Sequence, residues 1–272
     1  MSRQESFLKK SLLARSNHLS KTMPELPEVE TIRMQLEKLI VGKKILSMGV
    51  KITKIGRRAK LLQIFLDNGG FLVFHLKLTG RLLVRKSSDP EDDWQRITLP
   101  LSDGLELRFC DARKFGWMKF VKNKEELDKL LEKFGTEANS LSFGEFKKIL
   151  STSRRPVKVV LMDQTKISGI GNIYANDALN LARIDPRTPA RQLDNQTAGQ
   201  LHEAILKVLK MGIKYGGASD QFYLDALGAK GHYQDHFLVY NRQGEKCFNC
   251  GGIIKKFRLA GRGTYFCPAC QK

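Results

Sequence analysis

Apolar residues recur every three to four positions after Pro27, which is the period of an amphipathic helix. We predict a helix from Pro27 to Ile40, ended by Gly42. Pro27 suits the first turn of a helix, and Glu28 and Glu30 complement the helix dipole there. The predicted apolar face consists of Val29, Ile32, Leu36 and Leu39.

The period then changes to two, which is typical of β-strands. Residues 60–84 contain two β-rich runs around the turn 67–70, and residues 96–121 repeat this plan around the turn 102–104. Strand-like runs that are separated by short polar turns predict antiparallel pairing. We therefore predict an antiparallel sheet or sandwich that extends to about Val121.

Helical patterns dominate the part of the chain that follows. The segments predicted as helices are 124–135, 142–153, 156–164 and 200–216, with one more that starts at Asn172. Residues 214–235 are rich in glycine and irregular, and a long loop in a compact protein is usually functional. The whole pattern predicts an α+β protein with more than one domain.

The charge of the chain narrows the class of partner. Its 272 residues include 47 Lys and Arg against 28 Asp and Glu, a net charge of +19. Basic side chains release counterions when they meet phosphates, so nucleic acid is the first expectation and an anionic membrane surface the weaker one. A basic protein without such a partner is the third reading. No run of 18 apolar residues occurs, and we predict no membrane span.

Four cysteines near the C-terminus form two Cys-x2-Cys pairs separated by sixteen residues. They are Cys247, Cys250, Cys267 and Cys270. This spacing predicts one structural Zn²⁺ with all four ligand places filled, against the alternative of redox pairs or disulfides. The remaining cysteine, Cys110, stands alone, and this pattern favours a reducing compartment.

Three further motifs allow both a functional and a structural interpretation. Gly169, Gly171 and Asn172 form a turn into a helix, which either binds phosphate or merely joins two helices. Lys60 in the motif GRRAK either contacts a phosphate or lies on a charged sheet edge. In the motif DARKFG, residues 111–116, an arginine and an exposed aromatic could fill the gap left by an extruded base, whereas a core aromatic with surface cations is the alternative.

Five motifs occur in one order and together resemble the formamidopyrimidine-DNA glycosylase family. They are MPELPEVETIR, GRRAKLL, DARKFG, LMDQTKISGIGNIYANDAL and the four-cysteine segment, and they span about residues 23–272. The opening motif favours this branch over the endonuclease VIII branch. The resemblance implies an N-terminal antiparallel β-sandwich domain (24–135) flanked by helices, a helical helix–two-turns–helix domain (136–236) and a C-terminal zinc-finger hairpin (237–272).

The resemblance also implies an activity and its catalytic residues. The family excises oxidised purines, namely 8-oxoguanine and formamidopyrimidines, and then cuts the abasic site by β,δ-elimination. Pro24 would be the nucleophile that forms an iminium, and Glu25 the general acid/base that helps to open the sugar ring. Lys60 would assist β-elimination or hold a phosphate, and Arg262 would assist δ-elimination.

The DNA contacts that the resemblance implies lie in all three domains. Residues expected to touch the DNA are Arg113, Arg154, Lys158 and Asn172, with Arg113, Phe115 and Leu78 as the wedge. The loop 216–231 would cap the flipped base. The sequence departs from the family at Leu78, where a methionine is usual, at Asp177, where a glutamate is usual, and in a shortened segment 45–56.

Residues 1–23 are the largest departure. They are basic, and we expect a removable leader, such as a transit peptide, or upstream sequence that is absent from the active protein. An amide nitrogen cannot form an iminium, so the mechanism requires Pro24 to be the N-terminus. We expect a monomer that acts on double-stranded DNA with oxidised bases in a bacterial cytoplasm, or in an organelle if a transit peptide is present. The alternatives are a DNA-binding protein without catalysis, if residues 1–23 are retained, or an enzyme for oxidised pyrimidines.

Overall fold

The computed structural model describes residues 23–219 and 222–272. The leader expected at 1–23 thus lies outside the described residues, except for Met23. The strands are β1 (Lys44–Ile45), β2 (Val50–Arg58), β3 (Leu61–Leu66), β4 (Phe71–His75), β5 (Gly80–Lys86), β6 (Gln95–Pro100), β7 (Leu105–Asp111), β8 (Trp117–Val121), β9 (Thr136–Glu137), β10 (Ile167–Ser168), β11 (Lys255–Leu259) and β12 (Arg262–Phe266). The α-helices are α1 (Leu26–Ile40), α2 (Lys124–Leu131), α3 (Phe143–Ser151), α4 (Val157–Leu161), α5 (Asn172–Leu181) and α6 (Asn195–Lys214).

Two antiparallel sheets form the predicted N-terminal sandwich. One has the strand order β1-β2-β3-β4-β8 and the other has the order β5-β7-β6. A single apolar cluster unites residues of both sheets with one face of α1. The fully buried residues of that face are Val29, Ile32, Leu36 and Ile40, and Leu39 is only partly buried. Burial of this face fixes the start of α1 against the sandwich.

Each of the two predicted β-rich stretches, 60–84 and 96–121, contains three strands instead of two. The chain passes from one sheet to the other within each stretch. In the first stretch the chain reverses after Leu76 and enters the other sheet as β5. The Gly80 N–H donates to the Leu76 carbonyl oxygen (2.9 Å), and a Cβ on Gly80 would lie 2.3 Å from that oxygen. Only glycine fits such a reversal. In the second stretch β8 returns to the first sheet beside β4.

Strand β2 lies before the predicted β-rich stretch, and the alternation of its residues is broken. Ile52 and Ile55 are both buried although they are three positions apart. The register of β2 against β3 shifts between Ile52 and Lys54, which indicates a bulge. One extra residue in a strand changes which positions face the core, so a period of two cannot detect β2. The short segment 45–56 forms the end of β1, which has only two residues, and most of β2.

The helical region packs around a second apolar cluster to which α3, α4, α5 and α6 contribute. Helix α6 begins earlier than the predicted 200, because the Asp194 carboxylate caps it by accepting from the Thr197 N–H (2.7 Å). Helix α4 is shorter than the predicted 156–164. Its end is followed by Asp163, whose side chain accepts from the Thr165 N–H (3.2 Å) and so stabilises a turn in place of further helix.

The C-terminal hairpin β11–β12 lies against α5 and carries the four cysteines beside it. The Tyr265 N–H donates to Asn176 Oδ1 (2.9 Å), and Asn180 Nδ2 donates to Gln271 Oε1 (3.0 Å). Both amides are buried on α5. These bonds fix the hairpin relative to the helix that starts at Asn172.

The fold class is the predicted one. The chain is an α+β protein with an antiparallel β-sandwich flanked by helices, a helical helix–two-turns–helix region and a C-terminal four-cysteine hairpin. Within residues 23–219 and 222–272, every helix is too short or too polar to cross a bilayer.

Candidate active site and DNA-binding surface

Glu25 connects the start of α1 with the start of α5. Its backbone N–H donates to Glu28 Oε2 (2.8 Å), one turn into α1. Its carboxylate accepts from the Gly171 N–H (2.7 Å) and the Ile173 N–H (2.9 Å). The residue is 2% exposed. Glu25 is therefore held by its own helix α1 on one side and by the start of α5 on the other.

The glycine turn exists because the two segments approach closely. A Cβ on Gly171 would lie 2.3 Å from Glu25 Cδ, and Gly169 has a φ of +99° with Leu26 directly against it. The sequence suggested that free N–H groups here bind phosphate, but those of Gly171 and Ile173 donate to the Glu25 carboxylate. The phosphate interpretation is corrected accordingly: the helix start at Asn172 holds an anion of the chain itself.

A cavity of about 150 Å³ lies in front of this carboxylate. It is lined by Met23, Glu25, Lys60, Met162, Gln164, Ile170, Gly171, Asn172 and Arg262. Pro24 lies between Met23 and Glu25 in the chain and is buried. Four residues that the sequence singled out from distant parts of the chain thus meet in one place: Glu25, Lys60, Asn172 and Arg262.

Burial shifts the pKa values of an acid and a base in the cavity towards each other. Burial raises the pKa of Glu25 to about 7, while the charge of Lys60 opposes the rise and that of Glu28 adds to it. Burial lowers the pKa of Lys60, an effect that Glu25 opposes and Arg262 strengthens. A carboxyl group whose pKa lies near the working pH can both give and take a proton. A buried acid and a buried base with shifted pKa values in one cavity are typical of a catalytic site.

The loop that carries Arg113 and Phe115 is exposed to solvent, and hydrogen bonds from its backbone to the Asp111 side chain hold it in place. Phe115 is 53% exposed, so the interpretation of this ring as a core residue is wrong. The Arg113 guanidinium lies 4.8 Å from the ring centroid of Phe115. Asp111 at the end of β7 accepts from the Gly116 N–H (2.6 Å) and the Arg113 N–H (3.2 Å). An aromatic residue on a fixed loop can enter a duplex without losing much conformational freedom.

Leu78, the third predicted wedge residue, is half-buried on the loop between β4 and β5. Its neighbour Thr79 connects this loop to the loop 111–116. The Thr79 hydroxyl donates to Asp111 Oδ1 and accepts from the Arg113 N–H (3.1 Å). The structure therefore places Leu78, Arg113 and Phe115 on two connected loops. Thr79 and Asp111 are both buried and polar. The sequence gave no reason to single out Thr79, and Asp111 belongs to the motif DARKFG but had no predicted role.

The other predicted DNA contacts differ in exposure. Arg154 is exposed and Asn172 is half-buried at the cavity. Lys158 is only 1% exposed, and its Nζ donates to the Gly263 carbonyl oxygen (3.0 Å) and to Thr264 Oγ1 (2.8 Å) in the hairpin. Lys158 thus bonds with the residues that follow Arg262, and its contact with DNA stays a prediction.

The four cysteine sulfurs fit one tetrahedral metal ion. All four Sγ atoms lie within 4.8 Å of one another, with 3.8 Å between Cys247 and Cys270 and 3.4 Å between Cys250 and Cys267. Thiolates at about 2.3 Å from one Zn²⁺ would lie roughly 3.8 Å apart in a tetrahedron. A Cβ on Gly252 would lie 3.3 to 3.4 Å from two of the sulfurs. The hairpin thus holds one structural zinc ion, and Cys110 is buried elsewhere.

Two buried acids, Glu28 and Asp177, and the half-buried Glu137 complete the surroundings of the site. Glu28 accepts from the Ala218 N–H (2.7 Å) and from the Tyr174 hydroxyl (2.7 Å), so it joins α1 to the loop 216–231. Asp177 accepts from the Val239 N–H (3.0 Å). Glu137 bonds to the turn that carries Lys60. The sequence indicated Glu28 only as a residue of the helix start and Asp177 only as a departure from the family, and it missed Glu137, because a single acid leaves no periodic signal.

Three family models match the chain, in the same order as the sandwich, the helical region and the zinc hairpin. A formamidopyrimidine-DNA glycosylase N-terminal domain matches residues 46–118, a formamidopyrimidine-DNA glycosylase H2TH domain matches residues 134–223, and a zinc finger found in FPG and IleRS matches residues 244–272.

Relatives match over almost their whole length. The chain is 37% identical to formamidopyrimidine-DNA glycosylase of Lactococcus lactis subsp. lactis over 92% of this chain and 100% of the relative. It is 38% identical to that of Desulforamulus reducens over 92% and 99%. A solved complex of Lactococcus lactis Fpg with DNA that contains an abasic site superposes with a TM-score of 0.85 at 35% identity, over 91% of this chain and 99% of that one. The chain therefore belongs to the formamidopyrimidine-DNA glycosylase family.

Proposed function

We propose that the chain is a DNA glycosylase and abasic-site lyase that removes oxidised purines from double-stranded DNA. The observation that carries this proposal is the cavity in which Glu25, Lys60 and Arg262 meet beside the buried Pro24. The similar proteins of Lactococcus lactis bind DNA with an abasic site and DNA with a Fapy-dG lesion. The family, the net positive charge and the cavity all support DNA as the partner.

Pro24 is the proposed nucleophile. Its nitrogen attacks C1′ of the damaged nucleotide, the bond between C1′ and the base breaks, and the base leaves with the electron pair and takes up a proton. Ring opening gives an iminium between Pro24 and C1′, which makes the neighbouring C2′–H acidic. Loss of that proton expels the 3′-phosphate, which is β-elimination, and a second elimination expels the 5′-phosphate.

The buried acid and base divide the proton transfers. Glu25 holds a proton near neutral pH, because burial raises its pKa to about 7, and it can protonate the sugar ring oxygen as the ring opens. Lys60 faces the same cavity and assists β-elimination or holds a phosphate. Arg262, at the tip of the zinc hairpin, assists the second elimination.

This chemistry requires a free Pro24. A preceding residue makes its nitrogen an amide, whose lone pair is delocalised and cannot attack C1′. We propose that the active form begins at Pro24. If the native protein retained Met1–Met23, the same site would bind damaged DNA without cleaving it. Intact mass measurement of the native protein separates the two forms.

The surface around the cavity provides the contacts for an opened duplex. Arg113, Phe115 and Leu78 are the proposed wedge, and Arg154, Lys158 and Asn172 the proposed DNA contacts. The loop 216–231 is the proposed cap over the flipped base, of which residues 220 and 221 lie outside the described part of the chain. The domain limits at 135/136 and 236/237, the monomeric state and a bacterial cytoplasmic location belong to the same proposal. Light scattering that gives a mass well above 30.9 kDa would contradict the monomer.

Incision of matched duplexes tests the proposed function. Duplexes that carry 8-oxoguanine, thymine glycol or no lesion are incubated with protein whose N-terminus is Pro24. We expect release of the oxidised purine and a one-nucleotide gap with phosphate at both ends. Preferential release of thymine glycol would favour the pyrimidine-specific alternative, and binding without incision would favour the non-catalytic one.

A further inference from the structure

The turn that carries Lys60 needs support from outside its own hairpin. Strands β2 and β3 are joined through Ala59 and Lys60, since Arg58 pairs with Leu61. Ala59 has a φ of +54° and is fully buried. A residue with a Cβ in the left-handed region costs about 1 kcal/mol or more. The conformation that directs Lys60 into the cavity is therefore maintained by contacts from elsewhere.

Glu137 supplies these contacts. Its carboxylate Oε1 accepts from the Ala59 N–H and from Arg58 Nη1 (2.8 Å), and Oε2 accepts from Arg57 Nη1. The same Arg57 nitrogen donates to the Ala59 carbonyl oxygen (2.9 Å). Both peptide groups that flank the Ala59 Cα are thus held, one by Glu137 directly and the other through Arg57. Charge-assisted bonds of this kind are stronger than neutral ones.

The carboxylate is itself held at the place where the sandwich meets the helical region. Glu137 lies in β9, which pairs with β10 so that Glu137 is opposite Ser168. Arg58 Nη1 donates to Ser168 Oγ (2.7 Å), and Ser168 Oγ is 3.3 Å from Glu137 Oε1. Ser168 directly precedes the glycine turn that holds Glu25. Glu137 therefore links the turn of Lys60 to the turn of Glu25.

We propose that Glu137 is a positioning residue that fixes Lys60 opposite Glu25 in the cavity. The inference extends the proposed function, on which the catalytic role of Lys60 rests. Glu137 does not line the cavity, so it acts through the backbone of residues 59 and 60 and through Arg57 and Arg58.

The variant Glu137→Gln tests this inference, with Glu30→Gln as the matched control. Glu30 also bonds to Arg57 (2.8 Å) and has a similar side-chain exposure, 18% against 16%, but makes no contact with Ala59. Competitive acetylation of the full zinc-loaded chain, followed by peptide mass spectrometry, reports how accessible Lys60 is. Lys158, which is also buried (1% exposed against 7% for Lys60), is the internal reference. We expect Lys60 to react about tenfold faster in Glu137→Gln and at the unchanged rate in Glu30→Gln.

Cleavage of a preformed abasic site gives the second readout. In protein that begins at Pro24, we expect Glu137→Gln to lower the single-turnover rate about tenfold to a hundredfold. In protein that also carries Lys60→Met, Glu137→Gln should lower the single-turnover rate no further, because Glu137 acts through Lys60. Glu137→Asp keeps the charge, should give an intermediate result, and serves as the test if Glu137→Gln does not fold.

The outcomes separate the two proposals. Unchanged acetylation of Lys60, or an equal loss of rate with and without Lys60, overturns the positioning role. If the unsubstituted chain fails to cleave abasic DNA, the proposed function fails, while the acetylation result still decides whether Glu137 fixes Lys60.

Discussion

At the scale of single residues, the site depends on ionisable groups that are buried together. Glu25 and Glu28 are both at most 2% exposed, and Lys60 is 7% exposed. Isolated buried charges are costly, and each of these groups is partnered by backbone N–H groups or by an opposite charge. Burial raises the pKa of the Glu25 carboxyl and lowers the pKa of the Lys60 ammonium group, at some cost in stability.

Glu25→Gln should lower excision of the damaged base about a hundredfold or more, because the proton donor is lost. The alkaline limb of the pH–rate profile, which we expect near pH 7 from the pKa of Glu25, should disappear with it. Stopped single-turnover assays across pH 5 to 9 measure both effects. The exposed Glu37, changed to Gln on the same helix, is the control and should leave the profile unchanged.

The raised pKa also predicts how stability varies with pH. A carboxyl whose pKa is higher in the folded state favours folding below its ordinary value of 4.5, and this contribution is lost as the pH rises towards about 7. The melting temperature of the unsubstituted protein should therefore fall relative to that of Glu25→Gln between pH 5 and pH 7, and the difference should then level off. A pH-independent difference would show that Glu25 is ionised throughout this range.

At the scale of elements, two short loops carry the proposed wedge residues. Asp111 orders the loop that carries Phe115 and is joined through Thr79 to the loop of Leu78. Both loops leave strands of the sandwich, so their bases are rigid while the Phe115 ring is exposed to solvent.

Phe115→Ala should therefore weaken excision without weakening the fold. We expect about a tenfold lower rate on a duplex lesion, because stacking worth about 1–3 kcal/mol is lost. The melting temperature should change little. Phe120→Ala removes another half-exposed ring, on β8, and should leave excision unchanged. Equal losses in both variants would argue against a wedge.

The residue patterns predict elements better than they predict their arrangement. Helix α1 and the cysteine site follow directly from periodicity and spacing, because each is a local property of the chain. The bulge in β2 and the exchange of β5 and β8 between sheets depend on contacts such as that of Gly80 with Leu76, which are not local. For the site, the resemblance supplied Pro24 and Glu25, whereas Glu137 acts through a contact with Ala59 across 78 positions.

At the scale of the whole molecule, the cavity exists only where three regions meet. The sandwich contributes Lys60, the helical region contributes Asn172, and the zinc hairpin contributes Arg262. Lys158 donates a hydrogen bond to the hairpin and Asn176 accepts one from it, and these bonds fix the hairpin on the helical region. Loss of one region should therefore remove part of the site while the others stay folded.

Removal of zinc tests this dependence. A structural zinc site contributes roughly 10 kcal/mol or more to the folding of its hairpin, so chelation should release one zinc per chain and, by displacing Arg262, abolish the second elimination at an abasic site. Metal analysis beside the incision assay measures both. Cys250→Ser should behave like the chelated protein, and Cys110→Ser, which alters the cysteine outside the cluster, should keep its zinc and its activity. Full activity of zinc-free protein would contradict the role of the hairpin.

We propose that Pro24 forms a covalent iminium with damaged DNA. Protein that begins at Pro24 is incubated with an 8-oxoguanine duplex and sodium borohydride, and the adduct is digested and mapped by mass spectrometry. We expect one stable adduct, on the nitrogen of Pro24, and none from protein that retains Met1–Met23. An adduct on Lys60, or no adduct from protein that begins at Pro24, would contradict this proposal.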